Sequence, residues 1–327
     1  STQAADATHM NVANALHVPA EKVYLHRVQT GGGFGRRGSA DDFSRPAALI
    51  ARALPDNTPV KLLWTREEDI QHDFYRPMAM YRLKAAIDKS GKVSAWQTRV
   101  ASGSIMNQLL KAELRNGIDG AATEGFADFP YAVPNQHHDY VQRRTHVPIG
   151  FWRTVGWSQT PFAREQFIDE IAHTLKQDPY HYRRSLLTDE PLPLDILDKV
   201  AAAASWDTPL PAGVFRGIAT TEPYGSYTSA VVELSVSDAG LIHIHRIVQA
   251  INTGYVVHPD NIVAQIQGAV VWALTAAMWS EITFSKGRVE QSNFNNYRML
   301  KIGEMPPVEV VLAPSGGFWG GVGEPGQ

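Results

Sequence analysis

The sequence predicts an α+β fold, with mixed sheets built from long hairpins and helices packed against them. Three observations carry this. Apolar residues alternate at Tyr81, Leu83, Ala85 and Ile87, the turn Asp88-Lys89-Ser90-Gly91 follows, and a return strand runs to about Val100. The same device recurs from Val231 to Ile251, turning at Asp238-Ala239-Gly240, and from Trp279 to Gln291, turning at Lys286-Gly287. Helical spacing instead places Phe167, Ile168, Ile171 and Leu175 on one face of a helix over 161–176.

Along the chain, residues 9–17 read as a short helix and Lys22 to Val28 alternate as a strand. A glycine cluster spans 31–38. Ser44 is placed to N-cap a helix with Pro46 in its first turn, and Ala47, Ala48, Ile50, Ala51 and Leu54 supply its apolar side. Pro55-Asp56-Asn57 closes that helix, and Val60 to Trp64 read as a buried strand. Residues 101–150 show no period and read as surface or cleft-forming loops. Pro191-Leu192-Pro193 reads as a connector before a helix from Asp195 to Ser205. The strongest helix runs from about Pro259 to Ala277; it is apolar almost all round after Ile262, which predicts burial. Val308 to Leu312 form a last strand.

Composition narrows the function. The 327 residues carry a net charge of -3, so no basic excess is available to neutralise nucleic-acid phosphates. There are no cysteines, which excludes disulfides, thiolate metal sites and iron–sulfur ligation within this chain. No apolar run reaches the ~20 residues of a membrane span. The opening Ser1-Thr2-Gln3 lacks a signal-peptide pattern, and the abrupt end at Gln327 suggests a fragment of something larger.

Two glycine-rich stretches are candidates for chemistry. Residues 316–326 surround one carboxylate, Glu324, with glycines, aromatics and a proline. Glycine lets backbone approach a ligand closely, so this is either a glycine turn or a loop presenting a general base. Gly33, Gly35 and Gly38 match the spacing of a dinucleotide fingerprint between a strand and a helix. The ribose-binding acid is missing, since Asp56 sits in the Pro-Asp-Asn turn before the next strand. A Rossmann-type NAD(P) site and a glycine turn with two exposed arginines both remain open. His243 and His245 share a strand face but lack a third ligand, and His137-His138 is a weaker pair still. Arg153 either meets substrate or pairs with Glu165 or Asp169. Trp152, Trp157 and Trp319 line an aromatic pocket or belong to the core.

Nine stretches in order extend the argument: Ser1-Thr2-Gln3, GGGFGRR (31–37), WTREED (64–69), FWR (151–153), DPYHYR (178–183), NTGYVVHP (252–259), QIQGAV (265–270), NFNNYR (293–298) and GVGEPG (321–326). Together they resemble the xanthine oxidase family, the molybdenum-binding large subunits of molybdenum hydroxylases. The glycine motif ending in Arg-Arg resembles the isoquinoline 1-oxidoreductase and membrane-bound aldehyde dehydrogenase branch.

The resemblance implies two molybdopterin-binding regions, 1–158 and 159–327. It implies molybdopterin cytosine dinucleotide with molybdenum held by the pterin dithiolene and by no side chain. Gln3, Gly32, Gly33, Phe34, Gly35, Arg183 and Gly323 then adjoin the cofactor, Arg153 faces substrate, and Glu324 is the catalytic base. The implied reaction oxidises a small aldehyde or N-heterocycle with water as oxygen donor. Electrons leave through iron–sulfur clusters of a small partner subunit, with a cytochrome c subunit as a further partner and the periplasm as the setting. Departures qualify this. Gly38 stands where purine-oxidising relatives carry an acid, and Asn252 and His258 replace a family aspartate and asparagine. No Met-Gly-Gln-Gly run is present, so a non-catalytic, cofactor-free interaction fragment stands as an alternative beside the Rossmann-type NAD(P)-binding oxidoreductase.

Overall fold

The computed structural model describes residues 2–38 and 42–327. Its helices are α1 (Ala5–Leu16), α2 (Ser44–Arg52), α3 (Arg66–Gln71), α4 (Ile105–Gln108), α5 (Gly120–Thr123), α6 (Thr160–Thr174), α7 (Pro179–Leu186), α8 (Pro191–Ala203) and α9 (Pro259–Met278). The strands are β1 (Ala79–Ile87), β2 (Val93–Ser102), β3 (Gln136–Gln142), β4 (Val214–Thr221), β5 (Tyr227–Val236), β6 (Ile242–Asn252), β7 (Phe284–Ser285), β8 (Arg288–Val289) and β9 (Val308–Leu312).

The β1–β2 hairpin forms as its alternation predicts. Asp88 builds the turn by accepting from the Ser90 and Lys92 amides at 2.8 and 3.0 Å. β3 adds in parallel to β2, so 101–150 is not wholly irregular. The strand escapes sequence reading because Gln136-His137-His138-Asp139 has no apolar alternation. The second sheet has the order β4-β5-β6-β9, with β9 parallel to β6. The third predicted hairpin shrinks to the two-residue strands β7 and β8.

One apolar cluster joins the two sheets through α6, α7 and α8. Trp96 and Val100 of β2 meet it from one side, Val231 and Val248 from the other, with Ile168, Ile171, Ile196, Leu197 and Val200 between. A buried ion network is set into this core. The Glu165 carboxylate accepts from Arg164 at 2.8 Å, Arg183 at 2.9 Å and the Tyr131 hydroxyl at 2.8 Å. Burial opposes the Glu165 charge, but the Arg164 and Arg183 guanidiniums outweigh it and hold the carboxyl below the usual range.

Four expectations are corrected. Lys22 to Val28 is no strand: a 3₁₀ turn at Ala20–Lys22 leads into unpaired extended chain, with Tyr24 82% exposed. Val60 to Trp64 is neither strand nor buried, and Leu63 is 73% exposed. Alternation predicts a strand only where a partner exists, and among the described residues none pairs with either stretch. At α2, Ser44 is the first helical residue and the cap position belongs to Phe43, with no side-chain hydrogen bond. The prolines at 191 and 193 open α8 rather than precede it, because the first helical turn needs no N–H partner there.

Helix α9 also departs from expectation. By length and composition it could cross a membrane, yet it lies against the second sheet with only part of its surface buried. Ile262, Ile266, Ala269, Val270 and Thr275 are its buried residues. His258 caps it, its ring Nδ1 accepting from the Asn261 amide at 3.2 Å.

The ion network yields a stability test. Glu165→Ala leaves two buried guanidiniums without their shared carboxylate, and we expect a loss of about 3–5 kcal/mol in chemical unfolding. A loss below about 1 kcal/mol, the size of a surface pair, would show that the network is not truly dehydrated.

Candidate functional site

The segment Phe151-Trp152-Arg153-Thr154 has one glycine loop on each side. On the first side, the 31–38 loop is tied down by Gln3. The Gln3 amide donates to the Arg37 carbonyl at 2.9 Å, and its side-chain Oε1 accepts from the Gly35 amide at 3.2 Å. A Cβ on Gly33 would overlap the Gln3 side chain. Gln3, Gly33 and Gly35 therefore come together in one cluster. Gly35 cannot be replaced, because it holds φ +88 and a Cβ there would lie 2.6 Å from the Phe151 carbonyl oxygen.

Phe34 projects from this loop with φ 54, and its ring centroid lies 4.5 Å from that of Trp272 on α9. Beside it opens a cavity of about 390 Å³ lined by Phe34, Phe151, Trp152, Trp272 and Tyr297 among others. Arg36 is not the exposed cation of the glycine-turn reading. It pairs with Asp42 at 2.6 Å and with Asp73, and its guanidinium stacks 4.7 Å from the Phe43 ring centroid. Among the described residues no strand precedes the loop, so the strand–loop–helix context of a dinucleotide site is not seen there.

On the second side, the 316–326 loop is stitched to its neighbours by backbone bonds. The Gly320 amide donates to the Thr253 carbonyl at 2.9 Å and the Gly321 amide to the Tyr224 carbonyl at 3.0 Å. A Cβ on Gly320 would sit 2.6 Å from the Gly225 carbonyl oxygen, so two backbones pass here with no room for a side chain. Asn252, fully buried, shapes the adjoining turn. Its Oδ1 accepts from the Gly254 amide at 2.8 Å and its Nδ2 donates to Ser315 Oγ at 3.1 Å. A neutral amide can do both at once, which an ionised aspartate cannot.

Arg153 joins this loop to α9. Its Nε donates to the Gly323 carbonyl at 2.8 Å, and one terminal nitrogen donates to both the backbone and side-chain oxygens of Gln265 at 3.1 Å. It is only 6% exposed, and its Nε and one terminal nitrogen are engaged by the protein. It does not pair with Glu165 or Asp169, which belong to Arg183. Burial lowers the Arg153 pKa, with the Glu324 charge opposing.

Arg183 is corrected. It is fully buried and donates to Glu165, Asp169 and the Pro179 carbonyl, which places it in the core network rather than on a cofactor-facing wall.

Glu324 is held through its backbone, its carbonyl accepting from Thr154 Oγ1 at 3.0 Å. Its carboxylate meets the Tyr224 hydroxyl. Burial, then the Glu124 and Glu324 charges, push that phenol well above its ordinary range. Glu124 is itself raised to about 7, first by burial, against the opposing hydrogen bonds of the Gly156 and Trp157 amides, with the Glu324 charge adding to the rise. Sequence reading missed Glu124, Tyr224 and Trp272. Nothing in Thr123-Glu124-Gly125 or Pro223-Tyr224-Gly225 marks them, since only tertiary packing brings them to the 316–326 loop.

The other candidates separate cleanly. Trp152 lines the cavity and donates from Nε1 to the Phe74 carbonyl at 2.9 Å, Trp157 is core, and Trp319 is exposed against Tyr255. His243 and His245 touch each other, and among the described residues no cluster of three metal-binding side chains exists.

Comparison with known proteins follows the same outline. A family model described as molybdopterin cofactor-binding domain matches residues 1–187, and a second of that description matches 192–306. The chain is 31% identical to the membrane-bound aldehyde dehydrogenase [pyrroloquinoline-quinone] of Gluconacetobacter polyoxogenes, covering 96% of this chain and 44% of that protein. It is 28% identical to isoquinoline 1-oxidoreductase subunit beta of Brevundimonas diminuta, covering 96% of this chain and 41% of the relative. The chain thus spans less than half the length of these relatives. Among solved structures, quinoline 2-oxidoreductase from Pseudomonas putida 86 superposes with a TM-score of 0.83 at 12% identity, over 99% of this chain and 66% of that one. Carbon monoxide dehydrogenase from Oligotropha carboxidovorans gives 0.82 at 13%, with the same coverage.

Two outcomes are expected. Arg153→Ala orphans the Gly323 carbonyl and the Gln265 side chain, and should cost on the order of 3 kcal/mol in thermal unfolding. Glu222, raised to about 7 chiefly by burial, governs the second. Between the ordinary carboxyl range and about 7, the folded chain keeps a proton that the unfolded chain has lost. Its stabilising contribution is therefore complete below the ordinary range and lost as pH rises towards 7. Denaturation midpoints measured across that window should fall with pH, and Glu222→Gln should flatten the slope.

Proposed function

The chain belongs to the molybdenum-binding xanthine oxidase family, with two molybdopterin cofactor-binding domain matches covering most of its length, and on that premise we propose that it forms the catalytic wall of an oxidoreductase acting on an aldehyde or an N-heteroaromatic substrate. One observation carries the reading. Two glycine loops far apart in sequence flank a single four-residue segment, and one of them bears a lone carboxylate, Glu324.

The residues fit a bulky, flat cofactor. The glycine loop borders the cavity with bare backbone at Gly32 and Gly33, and Phe34, Trp152 and Trp272 offer aromatic faces beside it. Backbone amides without side chains let a polar ring system approach closely. When bound, the group supplies a molybdenum centre that oxidises the substrate carbon by two electrons with oxygen from water. The chain's own part is positioning and proton transfer. Gln3 holds the Gly35 amide, Arg153 and Thr154 hold the Gly323 and Glu324 carbonyls, and the Glu324 carboxylate accepts the proton that water gives up.

Further assignments rest on the resemblance to the family. The chain contains no cysteine, so we assign the outgoing electrons to iron–sulfur clusters of a small partner subunit, with a cytochrome c subunit as a later acceptor. The cytosine dinucleotide form of the cofactor and a periplasmic setting belong to the same reading. Gly38 stands where purine-oxidising relatives carry an acid, which supports an aldehyde or a simpler N-heteroaromatic over a purine.

Metal analysis of the full-length complex, alongside turnover of Glu324→Gln, tests the proposal. We expect stoichiometric molybdenum in both proteins and a rate loss of at least about 100-fold in the variant. An active preparation holding a quinone and no molybdenum would overturn the cofactor assignment. Unchanged turnover would remove Glu324 as the base.

A further inference from the structure

We propose that Glu124 is a positioning residue of this site, clamping the 153–157 turn and thereby fixing the loop that carries Glu324. The inference rests on the reading of Glu324 as the base.

The geometry begins with the turn. Thr154 and Val155 hold φ 74 and 48, a left-handed conformation that β-branched residues avoid. Such backbone persists only where its surroundings over-determine it. The Glu124 carboxylate does so from outside: its Oε2 accepts from the Gly156 amide at 2.9 Å, and the Trp157 amide bonds the same carboxyl. Those are the first free donors of the 3₁₀ turn Val155–Ser158, which has no side-chain cap of its own. Helix α5, just before Glu124, packs so closely that a Cβ on Gly156 would overlap the Ala121 carbonyl. The Glu124 carbonyl also accepts from Thr160 Oγ1 at the start of α6.

The clamped turn in turn holds the 316–326 loop. Arg153 and Thr154, at its leading edge, bond the carbonyls of Gly323 and Glu324. A chain of single contacts therefore runs from the Glu124 carboxylate through two amides to the backbone that aims the base.

Charge links the two acids as well as geometry. The titratable groups facing Glu124 are Glu324 from the 316–326 loop, Asp119 from the start of α5, and Tyr224 from the β4–β5 connection. Burial first, then the Glu324 and Asp119 charges, outweigh the Gly156 and Trp157 amides and raise its pKa to about 7, so its charge changes across neutral pH. The neutral acid still accepts from both amides and removes a like charge near Glu324. A simple structural cap would leave no such trace on the rate.

Steady-state kinetics of the holoenzyme complex over the neutral pH range provide the test, with Glu124→Gln, Glu124→Ala and Glu324→Gln compared. Displacing a reacting group by about 1 Å costs on the order of 100-fold, so Glu124→Ala should lower kcat by more than about tenfold, with KM within about twofold. Glu124→Gln, permanently neutral with an acceptor oxygen retained, should keep most of the low-pH rate and lose the inflection near 7 assigned to Glu124. An inflection unmoved in Glu124→Gln would overturn the proposal, even if Glu124→Ala fails to fold. Glu324→Gln separates the two readings: its inactivity beside normal Glu124 variants sinks only this inference, whereas its full activity sinks the base assignment.

Discussion

A buried guanidinium bonded to three carbonyl-type oxygens holds this site together. Arg153 reaches the Gly323 carbonyl on one side and the backbone and side chain of Gln265 on the other, tying residues from the middle of the chain to α9 and the 316–326 loop. A dehydrated cation is costly unless its donors are matched. Each oxygen is therefore held to the guanidinium more tightly than an uncharged donor would hold it. Phe151, two residues earlier, supports Gly35 of the first glycine loop. Moving this segment would disturb both loops together.

The site and the core divide the arginines between them by a simple physical rule. Arg164 and Arg183 are dehydrated among helices and share the Glu165 carboxylate, and Arg183 also pairs with Asp169, so two acids offset the two charges locally. Arg153 makes its hydrogen bonds to neutral oxygens, and its charge remains available to act on Glu324. A family pattern places arginines at positions 153 and 183 but cannot say which is compensated. That depends on which acids the helix packing delivers.

Much of the fold was legible where local chemistry decides. The β1–β2 and β5–β6 hairpins follow from alternation and turn residues, and α6 from its apolar face. Three misreadings share one cause. Lys22 to Val28, Val60 to Trp64 and β3 depend on whether a partner strand lies alongside, which residue pattern does not encode. At the candidate site, Gln3, Gly33, Phe34 and Gly35 were singled out through an ordered set of motifs. Glu124 and Tyr224 were not, because their importance lies in contacts made across the tertiary structure.

The parallel pairing of β9 with β6 bears on how the site is assembled. Ile251 is matched to Leu312 only after the whole of α9 and the β7–β8 ribbon have been spanned, a non-local closure that is entropically late. The Glu324 loop begins just beyond β9 and is anchored on the turn after β6 and on the β4–β5 connection. The loop bearing the proposed base is therefore among the last parts of the described chain to gain its neighbours. On loop-closure entropy, the anchors of this carboxylate form after the sheet beneath it.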